Sequence, residues 1–189
     1  WSKDEHREQV KDWLLFLAER GYGRLAYPET LKSAPDLGEF IATFETLAFF
    51  DLSLVVKFGV QFGLFGGAIY FLGDDQQRQR YLSEVADGKL LGCFAMTEHG
   101  HGSNVRDLET TAVYDAEQQH FVIRSPTERA GKQWIGNAAC HARMAVVFAQ
   151  LETQGESFGV HAFVVPVRDE NGETLPGVRI VASGHKMGL

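Results

Sequence analysis

The 189-residue chain has little cysteine, little basic charge and no charge-free leader, and each shortage excludes a class of protein. Only Cys93 and Cys140 are present, far apart and outside any CxxC or metal-ligand spacing. A disulfide-built secreted scaffold is excluded, and a reducing compartment is expected. Both cysteines are expected to be ordinary buried thiols. Eighteen Lys and Arg stand against 25 Asp and Glu, a formal net charge of -7. No basic cluster of the kind that neutralises a phosphate backbone occurs, so nucleic acid is not an expected partner. The opening WSKDEHREQVKDW is charged from the outset, and no apolar run is expected to reach the length of a membrane span. The chain is therefore expected to be soluble and intracellular. It also lacks an initiating methionine and breaks off at Gly184-His185-Lys186-Met187-Gly188-Leu189, inside a strand-like pattern, which reads as part of a longer protein.

What is present is a core. Hydrophobic residues make up 44% of the chain and aromatics 12%, enough for one large domain or two small ones. The first half has a helical period. Val10, Trp13, Leu14, Leu17 and Ala18 share one face, and Gly21 and Gly23 end the run. After a connection with Tyr27-Pro28 and Ala34-Pro35, Asp36 is placed to cap a helix from Leu37 to about Phe50, with Phe40, Phe44 and Leu47 at core spacing. Asp51 is placed to cap the next, Leu52 to about Leu72. That segment is apolar nearly all round and carries Gly59, Gly63, Gly66 and Gly67, the pattern of a buried helix packed closely against backbone or ligand. Asp74 starts a last, solvated helix with Tyr81, Leu82 and Val85 inward and Gly88 as its stop.

After Gly88 the period changes from helix to strand. Leu90 to Thr97, Thr110 to Tyr114, His120 to Ser125, Met144 to Leu151 and Val160 to Val167 are short, rich in Val, Phe, Ala and Thr, and separated by turn residues. The expected fold class is α+β: an N-terminal all-α helical domain over 1–89, then an antiparallel β-barrel or sandwich domain over 90–189, itself incomplete.

The stretch Thr97-Glu98-His99-Gly100-His101-Gly102-Ser103-Asn104 follows a strand with glycines, a serine and a short helical turn to Leu108. Such a stretch can be a tight turn, or it can offer backbone amides and hydroxyls to a pyrophosphate. His99 and His101 form an HxH pair without a third ligand at suitable spacing, so they read as turn histidines and no metal is expected. Read by themselves, Thr97 is a sheet residue and Trp134 a core residue, since aromatic residues at strand positions more often pack than contact a cofactor.

TEHGHGSN, the segment GKQWIGNAAC some thirty residues later and the ending GHKMGL resemble three successive signatures of the acyl-CoA dehydrogenase superfamily. The match is closest to its acyl-CoA oxidase branch. GVQFGLFGGAIYFLG, CFAMTEHGHGSN, LETTAVYD, HAFVVPVRD and LPGVRI extend the likeness over most of residues 52 to 189. The resemblance implies an FAD flavoprotein, with Phe94, Met96, Thr97, Gly102 and Ser103 lining the cofactor and with Trp134, Ile135 and Gly136 at the flavin edge. An indole there would supply a flat apolar wall that excludes water.

Position 136 separates the branches, since dehydrogenases usually carry a threonine or serine whose hydroxyl bonds the flavin, and oxidases commonly carry glycine. The glycine is expected to leave space that favours reaction with O2. His99 is a second departure, since dehydrogenases typically have proline there. The implied reaction is α,β-dehydrogenation of a fatty acyl-CoA thioester, with a glutamate base and FAD as hydride acceptor. That base lies in a C-terminal helical domain absent from this chain, so no catalytic residue is assigned within it and the stretch alone is expected to be inactive. Glu98 is expected to hold its turn by hydrogen bonds. The partners implied are the acyl-CoA substrate and O2, or alternatively an electron-transfer flavoprotein, with assembly as a homodimer or tetramer. The compartment implied is the cytoplasm in a bacterium and the peroxisome in a eukaryote. A noncatalytic acyl-CoA or protein-binding module is the alternative class.

Overall fold

The computed structural model describes residues 2–27, 37–184 and 186. Helix α1, Lys3–Glu19, is opened by a capping box between Ser2 and Glu5 and closed before Gly21, whose φ of 86° suits a residue without a Cβ. Its buried face is Val10, Leu14 and Ala18, with Trp13 and Leu17 at the margin. The expected cap at Asp36 lies outside the described residues. Helix α2, Leu37–Ala48, buries no residue fully. Phe40 and Leu47 pack at the edge of the helical core while Phe44 stays partly exposed, so the core spacing covers only one flank.

Asp51 caps helix α3, Leu52–Phe58, by accepting from the Leu54 amide at 2.8 Å. The rod then continues as a π-helical stretch, Gly59–Phe65, into α4, Gly66–Leu72. A π turn frees a carbonyl from the helical ladder, and a neighbouring side chain can satisfy it. Here the buried Tyr27 hydroxyl donates to the Phe62 carbonyl at 2.6 Å. Gly66 makes room for it, since a Cβ there would lie 1.8 Å from the Tyr27 oxygen. The fully buried Gln61 fixes the same stretch by donating to the Val85 and Leu90 carbonyls and accepting from the Gly92 amide at 3.0 Å.

The expectation that no apolar run reaches a membrane span is corrected by this rod. Leu52–Leu72 is 21 residues long and apolar enough, by length and composition, to cross a bilayer. Lys57, Gln61 and four glycines break the sequence into shorter apolar pieces, which is why the run is easy to undercount. More than half of its most apolar stretch, 56%, is buried inside the protein. Helix α5, Asp75–Ala86, begins with a capping box of Asp74 and Gln77 and buries Leu82, Val85 and Ala86.

The second half is a five-stranded sheet: β1, Gly92–Ala95; β2, Thr111–Asp115; β3, His120–Arg124; β4, Met144–Thr153; and β5, Glu156–Pro166. β4 is its axis. One edge pairs antiparallel with β5 through a two-residue turn in which Gln154 and Gly155 have φ of 53° and 80°. The other edge is shared end to end. β1 runs parallel to β4 from Gly92↔Met144 to Ala95↔Val147, and β2 runs parallel to it from Thr111↔Gln150 to Val113↔Glu152. β3 pairs antiparallel with β2.

The sheet is therefore mixed, which corrects the antiparallel expectation. Parallel pairing needs a long connection, and the long segments after β1 and after β3 provide it. The helices lie on one sheet face through Tyr27, Phe65, Ile69, Leu82, Val85, Val146 and Phe148. The opposite face packs Cys93, Ala142, Ala145 and Val167. Cys93 is buried as expected, but Cys140 is exposed, because it sits in the turn before β4 and not in a strand.

Candidate functional site

Between β1 and β2 the chain leaves the edge of β4 and returns to it, extruding residues 96–110 as a loop. This excursion carries the first signature. Glu98, 2% exposed, holds it from the inside. One carboxylate oxygen accepts from the Glu109 amide at 2.7 Å, and the other accepts from the Thr110 amide at 2.9 Å and the Lys132 ammonium at 2.9 Å. Lys132 spends its remaining donors on the Met96 carbonyl at 3.2 Å and the Phe148 carbonyl at 2.7 Å. The pair is thus buried but fully hydrogen-bonded, the condition under which buried charge is tolerated.

Burial pushes the Glu98 carboxyl up. The hydrogen bonds from Thr110, the Glu109 amide and Lys132 outweigh this and hold it below the ordinary glutamate range. Burial pulls Lys132 down, and Glu98 only partly restores it. The expected role of Glu98, holding the turn by hydrogen bonds, matches this geometry. Further out, Glu109 accepts from His101, Thr127 and Arg129, while His99 pairs with Gln133 at 2.7 Å.

The second signature lies alongside the first. Glu98 and Lys132 form an isolated antiparallel bridge, and the Gln133 amide donates to the Thr97 carbonyl at 2.9 Å. Thr97 and Trp134 are thereby brought onto adjacent strands of backbone. Trp134 is 66% exposed and has φ of 63°, a left-handed conformation that is strained for a large side chain. Asn137 repeats that conformation at 69°. Between them, a Cβ at Gly136 would lie 2.9 Å from Cγ2 of Val60 on the π stretch. The room expected beside Gly136 is thus bounded closely by Val60.

The other candidates divide. Phe94 packs on Phe148 with ring centroids 4.9 Å apart, and Met96 also contacts that core. Ile135 packs against the Cys93 cluster on the opposite face. Gly102 has open space in its Cβ direction and Ser103 is exposed, so this end of the loop is uncovered. Of the ending GHKMGL, only Gly184 and Lys186 lie among the described residues, with the Lys186 ammonium 5.3 Å from the centre of the Trp134 ring.

Beside the loop runs a groove of about 770 Å³ whose apolar lining includes Leu72, Met96, Phe148 and Ala162 and whose polar lining includes Arg106, Asp107 and Gln150. Gln150 also closes the loop, donating to the Arg106 and Leu108 carbonyls at 2.9 and 3.1 Å. Among the described residues no group of three His, Cys, Asp or Glu is placed to hold a metal. No sequence pattern marks Lys132, Lys57, Val60 or Arg106 as part of this site. Lys132 lay inside the quoted signature next to Gln133, but nothing in a linear pattern pairs it with a glutamate 34 residues earlier.

The model of the acyl-CoA dehydrogenase N-terminal domain matches residues 1–89, and that of the acyl-CoA dehydrogenase middle domain matches residues 93–189. The chain belongs to the acyl-CoA dehydrogenase family. Among its relatives, acyl-coenzyme A oxidase 2, peroxisomal, from Arabidopsis thaliana is 44% identical over 196 residues. That match takes in 100% of this chain but 28% of the relative. The crystal structure of acyl-CoA oxidase 1 from Yarrowia lipolytica superposes with a TM-score of 0.84 at 32% identity, covering 97% of this chain and 26% of that one. The structure of acyl-CoA oxidase-1 from Caenorhabditis elegans complexed with FAD and ATP gives a TM-score of 0.71 at 30% identity, covering 93% and 27%. The chain thus spans little more than a quarter of the oxidases it matches.

The residues present fit a flat, charged cofactor of this kind. Trp134 offers an exposed ring face on a backbone held in strain, and the glycine-serine end of the loop leaves open backbone for phosphate oxygens.

Proposed function

We propose that the chain is the front part of an FAD-dependent oxidoreductase that converts fatty acyl-CoA to trans-2-enoyl-CoA, with O2 as electron acceptor and H2O2 as product. The observation that carries this reading is the joining of two signature loops at one exposed, strained tryptophan, the first of them also lining a groove of apolar and polar residues. Bound FAD would supply the hydride acceptor.

The residues of the chain have preparatory roles in this reading. Trp134 walls the cofactor and keeps water away, Thr97 and the Gly102-Ser103 turn contact it, and Phe94 and Met96 support the loop from the sheet side. The buried Glu98–Lys132 pair holds the loop in place before cofactor or substrate arrives, so little reorganisation is needed on binding. The groove lined by Leu72, Met96 and Phe148 receives part of the acyl-CoA, and Arg106 offers a cation to its anionic end.

The base that takes the α-proton belongs to a further helical domain. Residues 1–89 and 90–189 are read as the first two of three domains, and the intact protein as a homodimer or tetramer. The name of the Arabidopsis relative points to the peroxisome as the compartment in a eukaryote.

The test is made on the complete protein, by recording its visible spectrum and following O2 consumption and H2O2 formation with a long-chain acyl-CoA. A flavin band that bleaches on substrate and returns in air with stoichiometric peroxide is the expected result. Bleaching that persists in air would instead assign electron transfer to a carrier flavoprotein, and a colourless protein would overturn the flavin reading.

A further inference from the structure

A cluster of charged side chains stands behind the second signature, away from its exposed face. Lys57, on α3 two residues before the π stretch, donates to the Asn137 Oδ1 and sits 2.8 Å from Nδ1 of His141. Asn137 in turn donates its Nδ2 to the Gly92 carbonyl at the start of β1, at 2.7 Å. His141 reaches Glu8 on α1 through Nε2 at 2.8 Å. With the Lys57 ammonium donating to Nδ1, the imidazole carries its proton on Nε2 and donates it to the Glu8 carboxylate. One ammonium therefore ties α3, and through His141 α1, to both ends of the turn that follows Trp134.

The geometry around that turn explains why such a tie is needed. Trp134 and Asn137 both hold positive φ, at 63° and 69°, and neither is glycine. Conformations of this kind persist only where the surroundings determine them. The Asn137 carbonyl accepts from the His141 and Ala142 amides at 3.3 and 3.0 Å, so the clamped residue also sets the approach to β4.

We infer that Lys57 is a positioning residue for the cofactor-facing turn Trp134–Gly136, acting through Asn137 and His141. This rests on the flavin reading above and adds a residue outside both signatures. Burial is the main force on Lys57, lowering its pKa to about 8, with Cys140 and Glu8 favouring its charge and Lys11 opposing it. An ammonium kept at that cost is held for its hydrogen bonds.

The complete protein, stripped of and reloaded with FAD, provides the test in two variants. Lys57→Met removes the donor. Asn137→Gly deletes the side chain while leaving a residue at ease with positive φ, so it keeps the backbone if Lys57→Met fails to fold. Loss of a charged hydrogen bond should weaken FAD binding by about tenfold for Lys57→Met, and by less for Asn137→Gly.

The visible circular dichroism of the bound flavin should change in both variants. Amide exchange at His141 and Ala142 should accelerate about tenfold in Lys57→Met, while exchange in α5 stays unchanged. A wild type that binds FAD, with variants that match it in affinity and flavin dichroism, would overturn the inference alone. A wild type that binds no FAD would overturn the flavin reading and the inference together.

Discussion

The two loops that meet at Trp134 are secured in opposite ways. The first, residues 96–110, is held by its own buried Glu98, which pairs with Lys132 at the start of the second signature; their side chains are 0% and 13% exposed and their hydrogen bonds run to the loop and the sheet beneath it. The second, residues 133–141, has no such internal anchor. Its backbone takes two left-handed residues, and it is held from outside by Lys57 on the long rod, by Glu8 on α1 and by Arg168 after β5, which donates to the Ala139 and Ala142 carbonyls. A loop anchored by a buried pair on the sheet can form once that sheet and its Lys132 partner are in place. A loop tied also to the helices depends in part on how the helical half docks, so changes in the helices should reach the second loop more than the first.

The largest expected effect falls on the self-anchored loop. Glu98→Ala leaves Lys132 charged and buried without its partner and should destabilise the protein by about 3–5 kcal/mol in chemical denaturation. Pairing it with Lys132→Met should recover part of that loss. If Glu98→Ala alone were neutral, the loop would not be held from within.

Next in size is Gly136→Thr. Its new Cβ meets Val60 Cγ2 at 2.9 Å, so overpacking should cost about 1–3 kcal/mol, and Val60→Ala should relieve it. Relief would show that the rod sets what position 136 can carry. In the complete protein the relieved double variant is also the proper background in which to compare O2 consumption.

The smallest effect is the acid limb of the stability curve. The folded-state pKa of Glu98 lies below its unfolded value of about 4.3. Its contribution is therefore fully present above that unfolded value and is lost as pH falls through the folded value. A Glu98→Gln variant should show a flatter decline of stability than the wild type as pH falls below the unfolded glutamate value of about 4.3. Parallel declines would assign the acid limb to other carboxylates.

Much of the fold was legible in sequence because its signals are local. Asp51 and Asp74 announced helix starts, Gly21 and Gly88 announced stops, and the change of period after Gly88 marked the passage from helices to strands. Strand direction was not legible. Alternation reports which face is buried, and it is the same for β1 and β2 whether they run parallel or antiparallel to β4. The π turn was hidden as well, because its cause is Tyr27, 35 residues away in sequence from the carbonyl it satisfies.

At the candidate site, the two signatures were recognisable as contiguous runs. What joins and supports them was not, since Glu98–Lys132 and Lys57–His141 are pairs separated by 34 and 84 residues.

The most direct measurement is a crystal structure of the complete protein with FAD bound. The isoalloxazine should lie against the exposed face of Trp134 with its edge at Thr97, and its phosphates should lie at the Gly102-Ser103 turn. A flavin bound elsewhere, with the Trp134 ring still open to solvent, would contradict the convergence of the two loops on one cofactor.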